Sequence, residues 1–334
     1  MKKKQVLLSG MRPTGPLHLG HLVGVLNNWA QLQQEFECFF MIADWHALMS
    51  EYRHPETISF YSIDNVRDWL AVGLNPGLCV IFKQSDVAEH LELFLALSFF
   101  SSLSWLERCP TYKEQIKQLK SKDILNYAFL GYPVLQAADI LLYKAQKVPV
   151  GEDQLPHLEI CRQLAQRANK ILKKEFFLYP EPLLTEQPRL LGLDNRKMSK
   201  SYNNFIALSD SMQVIKKKVM HMITDPQKVK RTDKGHPDIC NVFAYHRVFG
   251  KHYYCDYPQR IKQIEDNCRS GKLGCVECKT DLAALLWGII EPIYKRREQF
   301  NDDYIKGILK DGSAKAKEVA CATIKELKMM LGLI

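Results

Sequence analysis

Hydrophobic positions follow two rhythms along this chain. In the first half, short apolar runs alternate with longer stretches of helical periodicity. Val6–Ser9, Phe39–Ala43, Cys79–Phe82 and Lys147–Val150 read as buried strands. Helices are expected over Gly20–Gln34, Glu56–Val72 and Leu135–Tyr143. That alternation predicts an α/β fold with a parallel, doubly wound sheet. Such sheets bind ligands at the carboxyl ends of their strands. Two segments lie at such ends: the turn from Gly10 to Pro16, and Gly151-Glu152-Asp153-Gln154. From Tyr179 to Asn204 the composition changes, and Pro180, Pro182, Pro188 and Gly192 mark a connecting region. Beyond it the pattern is helical, over Ser209–Ile223, Val242–Phe249, Thr280–Phe300 and Ala314–Leu331, which predicts an all-helical C-terminal domain. There is no internal repeat and no low-complexity segment.

Composition narrows the class. A chain of 334 residues with 46% hydrophobic and 25% charged residues is long enough for two domains and a sizeable core. No apolar run reaches membrane-spanning length; Leu91–Phe100 is too short and carries Glu92. Met1-Lys2-Lys3-Lys4 is followed by no adequate apolar signal core, so export is not expected and the cytoplasm is. The net charge of +9 is concentrated in residues 206–334, which hold 23 Lys/Arg against 16 Asp/Glu. A basic C-terminal third suits a polyanion partner, although charge alone is equally compatible with a plain solvated surface.

The candidate chemistry sits in two segments. His18-Leu19-Gly20-His21 follows the first strand and opens the first helix. A helix N-terminus presents unpaired N–H groups and the positive end of the helix dipole, which suits phosphate. Gly15 and Gly20 allow close approach of a nucleotide to the backbone. Lys197-Met198-Ser199-Lys200-Ser201 places two lysines on a polar loop within reach of a triphosphate. Taken singly, each has a bland reading: a histidine pair at helical spacing, and a solvated basic loop. Together, in this order, HLGH and KMSKS resemble the signature pair of the class I aminoacyl-tRNA synthetases.

Within that class the chain resembles the tryptophanyl-tRNA synthetases of bacterial and organellar type along nearly its whole length. Met11–Gly15, Ile42–Ala47, Tyr132–Leu141, Val148–Gln154 and KMSKS carry the resemblance. It implies a Rossmann-like, HUP-type sheet, with a catalytic domain over 1–185 that includes a dimer-forming insertion. It also implies a KMSKS linker over 186–205 and a helical anticodon-binding domain over 206–334. The implied reaction joins L-tryptophan to ATP as tryptophanyl-adenylate, then transfers it to tRNA(Trp) with release of AMP and diphosphate. Mg2+ accompanies the ATP. The implied ATP contacts are Arg12, Pro13, Thr14, His18, Gly20 and His21; Gly151, Glu152 and Asp153 at the ribose; and Lys197, Met198, Ser199, Lys200 and Ser201. His18, His21, Lys197 and Lys200 would stabilise charge on the phosphates. A carboxylate nucleophile needs no proton removed, so His18 fits phosphate binding better than general base.

Indole offers one polar atom, a donor-only N–H. A pocket selecting it needs a flat apolar slot and one buried acceptor. Asp139 lies in a largely apolar stretch, where a carboxylate must find a partner. From the residues alone that partner could equally be Lys144; the resemblance makes Asp139 the indole acceptor. Tyr132, His46, Gln136, Val148 and Val150 would line the slot. Tyrosine is the nearest alternative substrate. A small-molecule nucleotidyltransferase and a non-catalytic RNA-binding or redox-sensing protein on the same scaffold are the rival classes.

Ten cysteines in such a chain point away from disulfides. Cys38, Cys79, Cys109, Cys161 and Cys321 read as isolated thiols. Cys240, Cys268, Cys275 and Cys278 form C-x27-C-x6-C-x2-C. Four thiolates suit zinc or an iron–sulfur cluster. The set resembles the C-x22-C-x6-C-x2-C pattern that holds a 4Fe–4S cluster in one branch of the family; zinc and plain reduced thiols remain alternatives. Cys255 falls within the longer first loop. The resemblance further implies a homodimer.

Overall fold

The computed structural model describes residues 4–110, 112–113, 116, 126–184, 190–196, 198, 202–253 and 257–334. Five strands form one parallel sheet: β1 (Val6–Met11), β2 (Glu37–Ile42), β3 (Cys79–Lys83), β4 (Lys147–Val150) and β5 (Glu181–Leu184). Their order is β3-β2-β1-β4-β5. Four of them lie on the predicted apolar runs. The fifth falls in the region read as a connection, and the reason is local. β5 is an edge strand with Pro182 in it and no buried residue, so it carries no apolar signal.

The link from β1 to β2 is a helix in three pieces: α1 (Leu19–His21), a π-helical turn (Leu22–Leu26) and α2 (Asn27–Glu35). The sequence predicts one continuous helix here; the π turn interrupts it. Helices α3 (Asp44–Glu51) and α4 (Pro55–Val72) join β2 to β3. Between β3 and β4 lie α5 (Glu89–Ser98), α6 (Leu103–Arg108) and α7 (Tyr127–Leu142). Helix α8 (Leu155–Leu172) leads to β5. The described part after β5 is helical, as predicted: α9 (Met212–Met220), α10 (Asn241–Tyr253), α11 (Tyr257–Arg269), α12 (Cys275–Arg297) and α13 (Asp302–Met330). α11 escapes the sequence reading because it is polar and buries only Ile264. α13 starts earlier than its apolar pattern, at Asn301, whose side chain caps the Tyr304 N–H at 2.9 Å.

Side chains alternate across β2, so one strand feeds both cores. Cys38, Phe40 and Ile42 enter the core that holds Trp29 and Trp69, where Trp29 stacks on Phe40 with ring centroids 4.5 Å apart. Phe39 and Met41 enter the opposite core with Phe82 and Tyr143. The C-terminal helix returns to the sheet. Gly312 of α13 lies so close to β3 that a Cβ there would overlap the Ile81 carbonyl. Arg297 at the end of α12 bonds Asp64 at 2.7 Å and also Asp68, both on α4.

β1 pairs with β2 on one side and β4 on the other. The chain therefore leaves the sheet in opposite directions from the two sides of β1. A crevice opens at the carboxyl ends where that reversal occurs.

Candidate active site

A cleft of about 930 Å3 occupies this crevice. Arg12 and Thr14 of the turn after β1 line it, with His18 and His21 at the helix start. The two histidines form a reciprocal cap: His18 Nδ1 accepts from the Gly20 N–H at 3.1 Å, and His21 Nδ1 accepts from the His18 N–H at 3.2 Å. A neutral ring used in this way carries its proton on Nε2 and is a donor there. The first turn holds no acidic residue. A Cβ on Gly20 would lie 3.0 Å from the His18 ring and 3.3 Å from Met198 Sδ. The π turn sets Gly24 on the cleft wall.

Backbone pairing brings the stretch just after KMSKS against the start of the first helix. Leu19 N–H donates to Ile206 at 3.1 Å and Leu208 N–H to Leu17 at 2.9 Å, with the His18 and Phe205 rings 5.1 Å apart. Met198 lines the cleft. Lys197, Ser199, Lys200 and Ser201 lie outside the described residues.

The floor of the cleft is Asp139, which is 2% exposed. Its Oδ2 accepts from His46 Nε2 at 2.8 Å. Its Oδ1 accepts from Gln84 Nε2 at 2.8 Å and His90 Nδ1 at 2.6 Å. Burial pushes the carboxyl up, but the His46 hydrogen bond, the electrostatic attraction and hydrogen bond of His90, and the attraction of His46 outweigh it and hold the group below its ordinary value. The alternative pairing with Lys144 does not form; that ammonium lies 3.4 Å from Glu326. Sequence reasoning anticipated a carboxylate waiting for a ligand and missed His90, Gln84 and Tyr143. One signal was present: His90, Leu93 and Leu97 share a helical face, and all three are buried.

Tyr132, Gln136, Val148, Val150, Gly151 and Asp153 also line the cleft. Pro13, in the same turn, is buried. Glu152 is exposed and faces a separate hollow beside Leu155 and Arg162. Tyr132 bonds His157, whose Nδ1 lies 3.0 Å from Gln154 Oε1. The Gln154 oxygen accepts a hydrogen bond from Nδ1–H, and in the neutral ring Nε2 then accepts from the Tyr132 hydroxyl. Burial lowers its pKa to about 4; Asp153 opposes that shift and His46 adds to it.

Cys240, Cys268, Cys275 and Cys278 come from the start of α10, the end of α11 and the first turn of α12. They are half-buried free thiols, and Cys278 is pushed up by burial and then by the other three. Cys240 and Cys278 pack on Phe243, Ile264 and Leu273. Among the described residues no group of three or more His, Cys, Asp or Glu is arranged to hold a metal ion. Cys255 lies outside the described residues. Cys38 and Cys79 are not isolated, as the sequence suggested: they are register partners across β2 and β3.

Residues 1–289 match the family model described as tRNA synthetases class I (W and Y). The tryptophan–tRNA ligase of Thermotoga maritima is 45% identical, over 98% of this chain and 99% of that protein. The tryptophan–tRNA ligase of Aquifex aeolicus is 40% identical, over 98% and 99%. A tryptophanyl-tRNA synthetase from Campylobacter jejuni, solved with ADP and tryptophan, superposes with a TM-score of 0.87 at 30% identity, covering 98% of this chain and 100% of that one.

The lowered pKa of His157 sets a pH dependence. Its neutral form is favoured in the folded state, so its contribution is full above the unfolded value near 6.5 and is lost as pH falls through about 4. The stability advantage of wild type over His157→Gln should shrink by up to about 3 kcal/mol across that window. Urea unfolding of both proteins at several pH values checks this; parallel curves would reject it.

Proposed function

This chain belongs to the class I tRNA synthetases for tryptophan and tyrosine, in their tryptophan branch, and from that premise we propose how it works as a tryptophan–tRNA ligase. The observation that carries the reading is Asp139, a buried carboxylate held in its ionised form at the floor of the cleft. Tryptophan's indole N–H would bond Asp139, with the ring between Tyr132, His46, Gln136, Val148 and Val150. An acceptor left unpaired by a ring without N–H discriminates strongly.

ATP, used as its magnesium complex, would lie over the turn Arg12-Pro13-Thr14 and the start of α1. Gly20 admits adenosine, and the Nε2–H groups of His18 and His21 face the phosphates. Gly151 and Asp153 suit the ribose hydroxyls; Glu152 faces away and is the weakest member of that set. By motif, Lys197 and Lys200 hold the departing pyrophosphate, with Met198, Ser199 and Ser201 completing the loop. The tryptophan carboxylate attacks the α-phosphorus, giving tryptophanyl-adenylate and pyrophosphate. The acyl group then passes to the terminal ribose of tRNA(Trp), and AMP leaves. Placement and charge stabilisation supply the catalysis.

Four further readings complete the proposal. The basic segment 206–334 is the anticodon-binding domain, 1–185 the catalytic domain and 186–205 the linker. The four cysteines hold a 4Fe–4S cluster, with zinc as the alternative; four soft donors from three neighbouring helices support this, and closing them round a metal requires them to move from their present apolar packing. Two copies pair through Leu91, Leu95 and Phe99, an exposed apolar stripe on and just beyond α5, continued by Leu103 and Tyr127. No helix among the described residues is long and apolar enough to cross a membrane. We place the enzyme in the cytoplasm, where tRNA is charged and thiols stay reduced.

ATP–pyrophosphate exchange run across the twenty amino acids should respond to tryptophan; response to tyrosine instead, or to none, rejects the assignment. Asp139→Asn should lower kcat/KM for tryptophan by ~10–100-fold and leave the KM for ATP nearly unchanged. Protein purified without oxygen should contain about four iron and four sulfide per chain and absorb at about 400 nm; stoichiometric zinc, or neither, ends the iron–sulfur assignment. Leu95→Asp with Phe99→Asp should sediment as a monomer where the wild type is a dimer, and a dimer that survives both changes uses another face.

A further inference from the structure

We infer that His90, oriented by Tyr143, is a positioning residue that aims Asp139 at the cleft and so sets the pocket's preference for a ring that carries an N–H donor. The inference rests on the tryptophan reading of the site. His90 is fully buried on α5, and neither it nor Tyr143 lines the cleft. Both act only through the carboxylate between them and the ligand.

The geometry divides the two oxygens of Asp139. Oδ1 faces inward and is occupied by His90 Nδ1 and Gln84 Nε2. Oδ2 faces His46, which does line the cleft. A neutral imidazole has one donor and one acceptor. With Nδ1–H donating to the carboxylate, a neutral His90 ring leaves Nε2 as its acceptor, and the Tyr143 hydroxyl lies 2.8 Å from that atom. Tyr143 stays protonated, because burial first, and then Asp139 and Glu89, push its pKa well above the ordinary value. The chain of bonds therefore has one direction: Tyr143 donates to His90, and His90 donates to Asp139. Packing fixes the planes. Phe82 lies nearly parallel to the His90 ring at 6.0 Å, and Phe39 stacks on Tyr143 at 4.9 Å.

With Oδ1 saturated and the carboxylate unable to turn, Oδ2 is the oxygen left for a ligand. His46 Nε2 lies 2.8 Å from this oxygen at the cleft edge, and the indole N–H would approach the same oxygen from the cleft. A ring without N–H must either leave His46 in place or strand Oδ2.

The test compares tryptophan with its benzothiophene isostere, in which sulfur replaces the N–H, by pyrophosphate exchange. Wild type should favour tryptophan by ~100-fold or more in kcat/KM. His90→Leu should cut that ratio to below ~10-fold, the change falling on the KM for tryptophan and sparing the isostere. His90→Asn places an amide N–H where Nδ1–H was and should restore most of the ratio. Tyr143→Phe should give an intermediate loss, since the ring can then take the other tautomer. A purely structural role would weaken both amino acids alike and would not distinguish Asn from Leu; either result overturns the inference, as does a wild-type ratio in His90→Leu. Where His90→Leu fails to fold, Tyr143→Phe decides, and an unchanged ratio there is equally fatal. Failure of the tryptophan reading looks different: the wild type itself would not activate tryptophan or would not distinguish the isostere.

Discussion

One buried negative charge organises this molecule around its cleft. A carboxylate removed from water costs several kcal/mol unless donors replace its hydration. Asp139 obtains them from three separate segments: His46 on α3, Gln84 in the turn after β3, and His90 on α5. Asp139 itself is on α7, and Tyr143 at the end of that helix closes the set through His90. Satisfying the charge therefore requires four pieces of chain to meet at one point behind the sheet's carboxyl edge. In the proposed reading, substrate recognition and packing of the second core would be one constraint.

The other wall of the cleft is built with backbone. Capping by His18 and His21 fixes the helix start, and the return of the chain at Ile206–Leu208 along Leu17–Leu19 fixes what stands opposite. A triphosphate is suited to such a wall, because N–H groups and a helix dipole need no desolvated charge of their own. In the proposed reading the indole would meet an ionised group in a buried place, and the phosphates would meet oriented dipoles at the helix start. The strand-order reversal at β1 sets the two side by side.

How legible this was depended on the kind of interaction. β2 was plain because a run buried on both faces is apolar throughout. β5 was invisible because an exposed edge strand with Pro182 has nothing to bury. The π turn at Leu22–Leu26 leaves no trace, since five residues cannot separate its period from that of an α-helix. HLGH could be placed at a strand's carboxyl end from the alternation of elements alone. Asp139 stood out as a charge in an apolar stretch, but its partners lie 93, 55 and 49 positions away, and no local pattern encodes them. His90 looked like any core histidine. The cysteine spacing was visible, whereas the apolar surroundings of Cys240 and Cys278 come from Phe243, Ile264 and Leu273 on different helices.

The caps on the first helix also bear on mechanism. A histidine can serve as a general base only through a ring nitrogen with an open lone pair. Nδ1 of His18 and Nδ1 of His21 are already acceptors for backbone N–H groups. Their protons consequently sit on Nε2, and what the rings present is N–H. That is the wrong state for removing a proton and the right one for meeting phosphate oxygen. The chemistry agrees, because a carboxylate attacking phosphorus has no proton to lose. Catalysis here reduces to holding two anions close together while charge moves onto the leaving phosphates, and a site made of fixed donors is suited to that task.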